Sequence, residues 1–77
     1  MDLRKVFARN LRRLRRAASL TQEELAFRAG LDRTYISALE RGLYSASVVT
    51  IERLAKALNV EPMEFLLRAV KGQDRRG

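Results

Sequence analysis

The sequence predicts an all-α fold, a compact bundle of five helices. Apolar residues recur three and four positions apart in separate segments, which is the period of a helix. Residues that favour helix starts or ends separate these segments, and we find no strand pattern and no internal repeat. A chain of 77 residues has the length of one domain. We expect that domain to cover residues 1–70 and a polar tail to cover residues 71–77.

The first helix is predicted to run from near the start of the chain to about Ala18. Its apolar residues share one face, namely Leu3, Val6, Phe7, Leu11 and Leu14. Seven basic residues between Arg4 and Arg16 lie outside that face. We interpret them as a solvated surface that adds to the long-range field attracting a polyanion.

Two short helices joined by a tight turn are predicted between Thr21 and Gly42. Thr21 lies three residues before Glu24, which is the spacing of a capping box at a helix start. Gly30 can adopt the left-handed conformation that closes this second helix. Asp32 can cap the third helix, and Gly42 ends it.

Two further helices complete the predicted bundle. Ser47 is the candidate cap of the fourth helix, whose inner face carries Ile51, Leu54, Ala55 and Leu58. Pro62 fits the first turn of the fifth helix. Met63, Leu66, Leu67 and Val70 are expected on the apolar side of that helix, with Phe65 off its centre.

Composition narrows the classes of function. Sixteen Lys and Arg against nine Asp and Glu give a net charge of +7, so a polyanion is the natural partner. The chain has no Cys and no His, which argues against thiolate catalysis, His-based catalysis and the usual zinc sites. No apolar run approaches the length of a membrane span. We expect a cytoplasmic protein without catalysis, cofactor, metal, membrane partner or small-molecule ligand.

Three motifs at fixed spacing carry a family resemblance. They are L-T-Q-E-E-L-A at residues 20–26, R-A-G-L-D-R-T-Y-I-S at residues 28–37 and L-E-R-G at residues 39–42. With these motifs the chain resembles the helix-turn-helix family of lambda-type phage repressors, also called XRE-type. Within that family it is most similar to the controller proteins of restriction-modification systems. The resemblance implies a lambda-repressor-like domain that places its third helix in the major groove of double-stranded DNA.

The resemblance also implies which residues touch DNA. Those expected to face base edges are Arg33, Thr34, Ser37 and Ala38. Arg33 can donate two hydrogen bonds to guanine, and the methyl groups of Thr34 and Ala38 can contact thymine. Those expected to contact the DNA backbone are Gln22, Arg28, Tyr35, Arg41, Tyr44 and Ser45. A ring packed on the second helix remains an equal alternative for Tyr35, and a solvated position remains one for Arg28 and Tyr44.

Two structural roles complete the expected site. In the family, residues at the positions of Arg15 and Glu40 form a salt bridge between the first and third helices, and we expect that pair here. A homodimer would double the recognition helix on a near-palindromic operator. The fifth helix is its candidate interface, through Met63, Phe65 and Leu66.

The expected function is that of a homodimeric transcription regulator that controls its own promoter, as a repressor or also as an activator. RNA polymerase or a toxin is a conceivable protein partner. One alternative is an antitoxin-like protein that binds a partner toxin and its own promoter. Another is a nonspecific binder of polyanions or membrane surfaces, which the capped turn and recognition helix disfavour because such binding does not need them.

Overall fold

The computed structural model describes residues 2–68, which form four α-helices followed by one 3-10 helix. The bounds are α1 Leu3–Ala17, α2 Gln22–Ala29, α3 Arg33–Glu40, α4 Val48–Leu58 and the 3-10 helix Pro62–Leu66. The all-α fold predicted from the sequence is confirmed. The predicted fifth α-helix is instead a 3-10 helix of five residues.

Each α-helix begins at a side chain that caps its first turn. Thr21 Oγ1 accepts the backbone N–H of Glu24 at 3.0 Å, and a Glu24 carboxylate oxygen accepts the N–H of Thr21 at 2.8 Å. This is the predicted capping box. The side chains of Asp2, Asp32 and Ser47 cap α1, α3 and α4 by accepting one backbone N–H of the first turn. The caps predicted for α2, α3 and α4 are therefore confirmed.

A left-handed glycine turns the chain between α2 and α3. Gly30 has a φ of +69°, a conformation that costs energy in any residue with a Cβ. The following N–H, that of Leu31, donates to the carbonyl of Ala26 at 2.9 Å and closes the end of α2. This turn sets the direction in which the chain leaves α2 for α3.

The core lies where the five elements meet. α1 packs against α3 and the 3-10 helix, while α2 packs against α3 and α4. The largest fully buried side chains come from all five elements: Val6, Leu11, Leu25, Ile36, Leu39, Leu54 and Phe65. The rings of Phe7 and Phe65 lie 5.4 Å apart, which fixes the 3-10 helix on α1.

The inward face of the 3-10 helix differs from the prediction. Phe65 is 0% exposed, whereas Met63, Leu66 and Leu67 are exposed. The prediction used the spacing of an α-helix, whereas a 3-10 helix has three residues per turn. It therefore placed the wrong side chains toward the core. The Asn10 amide donates to the carbonyls of Phe65 and Leu67 at 2.9 and 2.7 Å, which holds the segment on α1. Val70 and the predicted tail, residues 71–77, lie outside the described residues.

Across residues 2–68, every helix is too short or too polar to span a lipid bilayer.

Candidate nucleic-acid interface

The outer face of α3 carries most of the residues expected to read DNA. Ile36 and Leu39 bury the inner face of the helix, which turns Arg33 and Thr34 outward and leaves Ser37 half-buried. Arg33, Ser37 and Arg41 lie four residues apart and therefore share one face. Arg41 Nε donates to the Ser37 carbonyl at 3.4 Å, so its guanidinium folds back along the helix. The result is an exposed polar strip with an arginine at each end.

An ion pair anchors the far end of α3 to α1. Arg15 Nε and Nη2 donate to the two carboxylate oxygens of Glu40 at 2.6 and 2.9 Å. The side chains are 11% and 3% exposed, so the pair is shielded from water. The hydrogen bond to Glu40 raises the pKa of Arg15, which keeps the guanidinium charged. The pair expected from the family resemblance is present in the structure.

The same carboxylate also holds Gln22, the first residue of α2. Gln22 Nε2 donates to Glu40 Oε1 at 3.0 Å. Glu40 therefore connects α1, α2 and α3 through one side chain. This bond was not predicted from the sequence, because nothing in the spacing of Gln22 and Glu40 indicates that they meet. The two residues belong to separate motifs, at residues 20–26 and 39–42, and neither motif indicates a contact with the other.

Gln22 and Arg33 come together at one surface depression of about 520 Å³, which Arg15 also lines. A residue expected to bind a phosphate thus lies beside one expected to read a base. The N-terminus of α2 opens here as well, and its free amides favour an anion. Glu23 lines the same depression, so one carboxylate stands there beside the two guanidinium groups of Arg15 and Arg33.

Two tyrosines connect α3 to the loop that follows it. The rings of Tyr35 and Tyr44 lie 6.4 Å apart and are tilted by 34°. Tyr35 is half-buried and packs on the core, while Tyr44 is exposed. Ser45 is exposed beside Tyr44, and both line a depression shared with Leu3. Tyr44 and Ser45, which are expected to contact the DNA backbone, therefore lie together on this loop.

Arg28 lies away from the recognition strip. It lines a separate depression on the outer side of α2, together with Glu24 and Phe27. Phe27 is 89% exposed. The charge of Arg28 helps to lower the pKa of Glu24, behind the larger effect of the hydrogen bonds with Thr21. The structure does not bring Arg28 together with Arg33 and Gln22.

Two residues of the expected site have little accessible surface. Ala38 is 5% exposed, and its carbonyl accepts the N–H of Leu43 at 3.1 Å. Its methyl group therefore offers almost nothing to a base. Phe65 was expected in the dimer interface. This expectation is wrong, because its side chain lies in the core. Met63 and Leu66 remain exposed.

These features define a class of protein. A capped α2, a left-handed turn and an α3 with an exposed polar face form a helix-turn-helix of the kind that binds DNA. The chain belongs to the helix-turn-helix family whose model matches residues 11–65. It is a DNA-binding transcription regulator of that family.

Three similar proteins indicate which kind of helix-turn-helix regulator the chain resembles. An uncharacterised helix-turn-helix transcriptional regulator of Sinorhizobium fredii is 46% identical over 66 residues, covering 86% of each chain. The crystal structure of the restriction-modification controller protein C.AhdI from Aeromonas hydrophila is 48% identical, with a TM-score of 0.78 over 80% of this chain and 94% of that one. The controller protein C.Esp1396I, solved as a tetramer with its natural operator, is 32% identical, with a TM-score of 0.77 over 84% and 86%. The predicted resemblance to controller proteins is confirmed.

Proposed function

We propose that the protein binds a near-palindromic site in double-stranded DNA as a homodimer and regulates transcription from its own promoter. The observation that carries the proposal is the exposed strip on α3, with Arg33 and Thr34 at its start. An arginine and a hydroxyl at the start of a recognition helix are suited to hydrogen bonds with base edges. The operator complex of C.Esp1396I supports the same mode of binding.

Arg33, Thr34 and Ser37 would read bases in the major groove. Arg33 would donate two hydrogen bonds to a guanine, and the Thr34 methyl would contact a thymine. Ala38 would have no more than a marginal part in this reading. The ion pair of Arg15 and Glu40 supports the arrangement by holding α3 rigidly on α1.

Backbone contacts would flank the reading helix on both sides. Gln22 would bind a phosphate through the amide hydrogen that Glu40 leaves free, in an orientation that Glu40 fixes. Arg41 would bind the backbone at the other end of α3. Tyr35, Tyr44, Ser45 and Arg28 are proposed as further backbone contacts.

The homodimer would form through the exposed apolar side chains of the 3-10 helix. Met63 is 64% exposed and Leu66 is 42% exposed, more apolar surface than so short an element needs to pack on α1. A Met63→Glu/Leu66→Glu variant should sediment as a monomer, since burying two carboxylates is costly. Phe27→Glu, on the outer side of α2, is the control and should sediment as the unmodified protein does. If all three proteins sediment as the same species, the proposed interface at Met63 and Leu66 is wrong.

Footprinting on the DNA upstream of the protein's own gene tests the proposed function. We expect two protected half-sites whose centres lie about 34–36 Å apart, because two recognition helices would enter successive major grooves. Protection should weaken steeply as salt rises. An unrelated duplex of equal length is the control. Equal protection of both duplexes would contradict sequence-specific regulation.

A further inference from the structure

Three of the basic residues on α1 form a continuous face. Lys5, Arg9 and Arg12 follow one another at spacings of four and three residues, which places them on one side of the helix. We refer to these three residues as the α1 basic face. From the sequence these residues were expected to be part of a solvated surface, whereas in the fold they gather beside the end of α3.

The α1 basic face meets the end of α3 at a surface depression of about 380 Å³. All three of its residues line the depression, and Arg41 is the fourth cation there. Gly42 and Lys5 are neighbours here, because a Cβ built on Gly42 would lie in ordinary van der Waals contact with Cγ of Lys5, at 3.7 Å. The stem of Lys5 thus lies beside the backbone that ends α3, and Lys5 lines the depression.

The field in this depression is positive although a helix ends there. The last carbonyls of a helix carry partial negative charge, but two of those of α3 accept hydrogen bonds from cations. Arg12 Nη1 donates to the carbonyl of Glu40, and Arg41 Nε donates to that of Ser37. The carboxylate of Glu40, the one acidic residue lining this depression, is turned away and bonded to Arg15 and Gln22.

Arg41 joins this depression to the recognition strip. It lines the depression and also shares the outer face of α3 with Arg33 and Ser37. A duplex whose major groove received α3 would carry its phosphates past the end of that helix. We infer that the α1 basic face, together with Arg41, binds successive phosphates of one DNA strand at the edge of that groove. This inference rests on the proposed function, and it adds a contact surface contributed by α1.

A membrane surface is a poorer match for the same charges. Helices that adsorb to anionic membranes insert an apolar face beside their basic one. Most of the apolar face of α1 is in the core, with Val6 and Leu11 0% exposed, whereas Leu3 at its start is 50% exposed. The accessible surface of α1 is thus mainly its charged side, which suits the phosphate backbone of a duplex.

The salt dependence of DNA binding tests the inference. The probe is a labelled mixed-sequence duplex of about 30 base pairs. Log affinity falls as log salt rises, and each lost phosphate contact lowers the steepness of this slope by about 0.9. Lys5→Gln should lower the slope by about 0.9, and Lys5→Gln/Arg9→Gln should lower it by about 1.8. Lys56→Gln is the matched control. It removes one lysine charge from α4, which packs against α2 and the 3-10 helix, and the slope should stay unchanged.

The possible outcomes separate this inference from the proposed function. If the unmodified protein binds the duplex with a steep slope and Lys5→Gln keeps that slope, the inference is wrong and the proposed function stands. If the unmodified protein does not bind the duplex, both are wrong. If Lys5→Gln weakens adsorption to phosphatidylserine vesicles but leaves the DNA slope unchanged, the face belongs to a membrane surface and the inference is overturned. Circular dichroism checks folding, and the single variant decides if the double one unfolds.

Discussion

Arg15 on α1 holds both carboxylate oxygens of Glu40, the last residue of α3, at 2.6 and 2.9 Å. Because Gln22 shares this carboxylate, the pair sets the relative position of all three helices around the candidate interface. A shielded pair of this kind is poor evidence of a net gain in stability. Its importance lies in what happens when one partner is removed.

Glu40→Ala is expected to lower the free energy of unfolding by roughly 3–5 kcal/mol, because it leaves the Arg15 guanidinium desolvated without a partner. In a domain of this size, each 1 kcal/mol corresponds to about 4–8 °C in Tm. Thermal denaturation followed by circular dichroism measures the loss. Glu52→Ala, which removes an exposed carboxylate on α4, is the control and should change stability by less than about 0.5 kcal/mol. Equal melting of the two variants would contradict the structural role of the pair.

Two phenylalanines test the packing of the 3-10 helix. Phe65→Ala should cost about 3–5 kcal/mol, because it empties a fully buried ring position beside Phe7. Phe27→Ala makes the same chemical change at a position that is 89% exposed and should cost less than about 0.5 kcal/mol. Urea denaturation of both variants gives the two free energies. The packing described for the 3-10 helix is wrong if Phe27→Ala is the more destabilising change.

Acid should destabilise the starts of α1 and α2. The backbone N–H of Thr21 lowers the pKa of Glu24 from its ordinary value of 4.5, and that of Lys5 lowers the pKa of Asp2 from 3.8. A carboxylate whose pKa is lower in the folded state stabilises that state above its unfolded pKa. This stability is lost as pH falls through the folded pKa. We therefore expect Tm to decline as pH falls below the ordinary values of these two groups.

The Glu24→Gln variant separates one of these caps from the general effect of acid. A glutamine amide can still accept the N–H of Thr21 but does not titrate. The variant should therefore lose less Tm between neutral and acid pH than the unmodified protein does. Glu52→Gln, on the exposed surface of α4, is the control. An identical acid response in all three proteins would show that the capping carboxylate makes no contribution.

Much of the fold could be predicted because local chemistry determines it. Thr21 and Glu24 form a cap whatever surrounds them, and Gly30 marks a turn that residues with a Cβ resist. The 3-10 helix could not be predicted in the same way. Its conformation depends on Asn10, which lies 55 residues away from Phe65 in the chain and binds its carbonyl. In the sequence, the one sign of this contact is that Asn10 is a polar residue on the apolar side of α1.

The candidate interface likewise has one part that could be predicted from the sequence and one part that could not. The exposed positions of Arg33 and Thr34 follow from helical spacing once Ile36 and Leu39 are assigned to the core. The burial of Ala38 depends on how α3 packs in the folded domain, which helical spacing alone does not give. The meeting of Lys5 with Arg41 depends on how α1 packs on α3, so their shared depression appears only in three dimensions.

Selection of bound duplexes from a random-sequence pool is the most direct test of the central claim, which is that α3 reads DNA bases through Arg33. The unmodified protein should enrich a near-palindromic site with a guanine at one position of each half-site. Arg33→Ala should lose preference at that position alone, since a bidentate arginine contributes about 1–3 kcal/mol of discrimination. Arg41→Ala, at the other end of the strip, should weaken binding to all sequences equally. Enrichment of the same guanine by Arg33→Ala, or no enriched site for the unmodified protein, would contradict the claim.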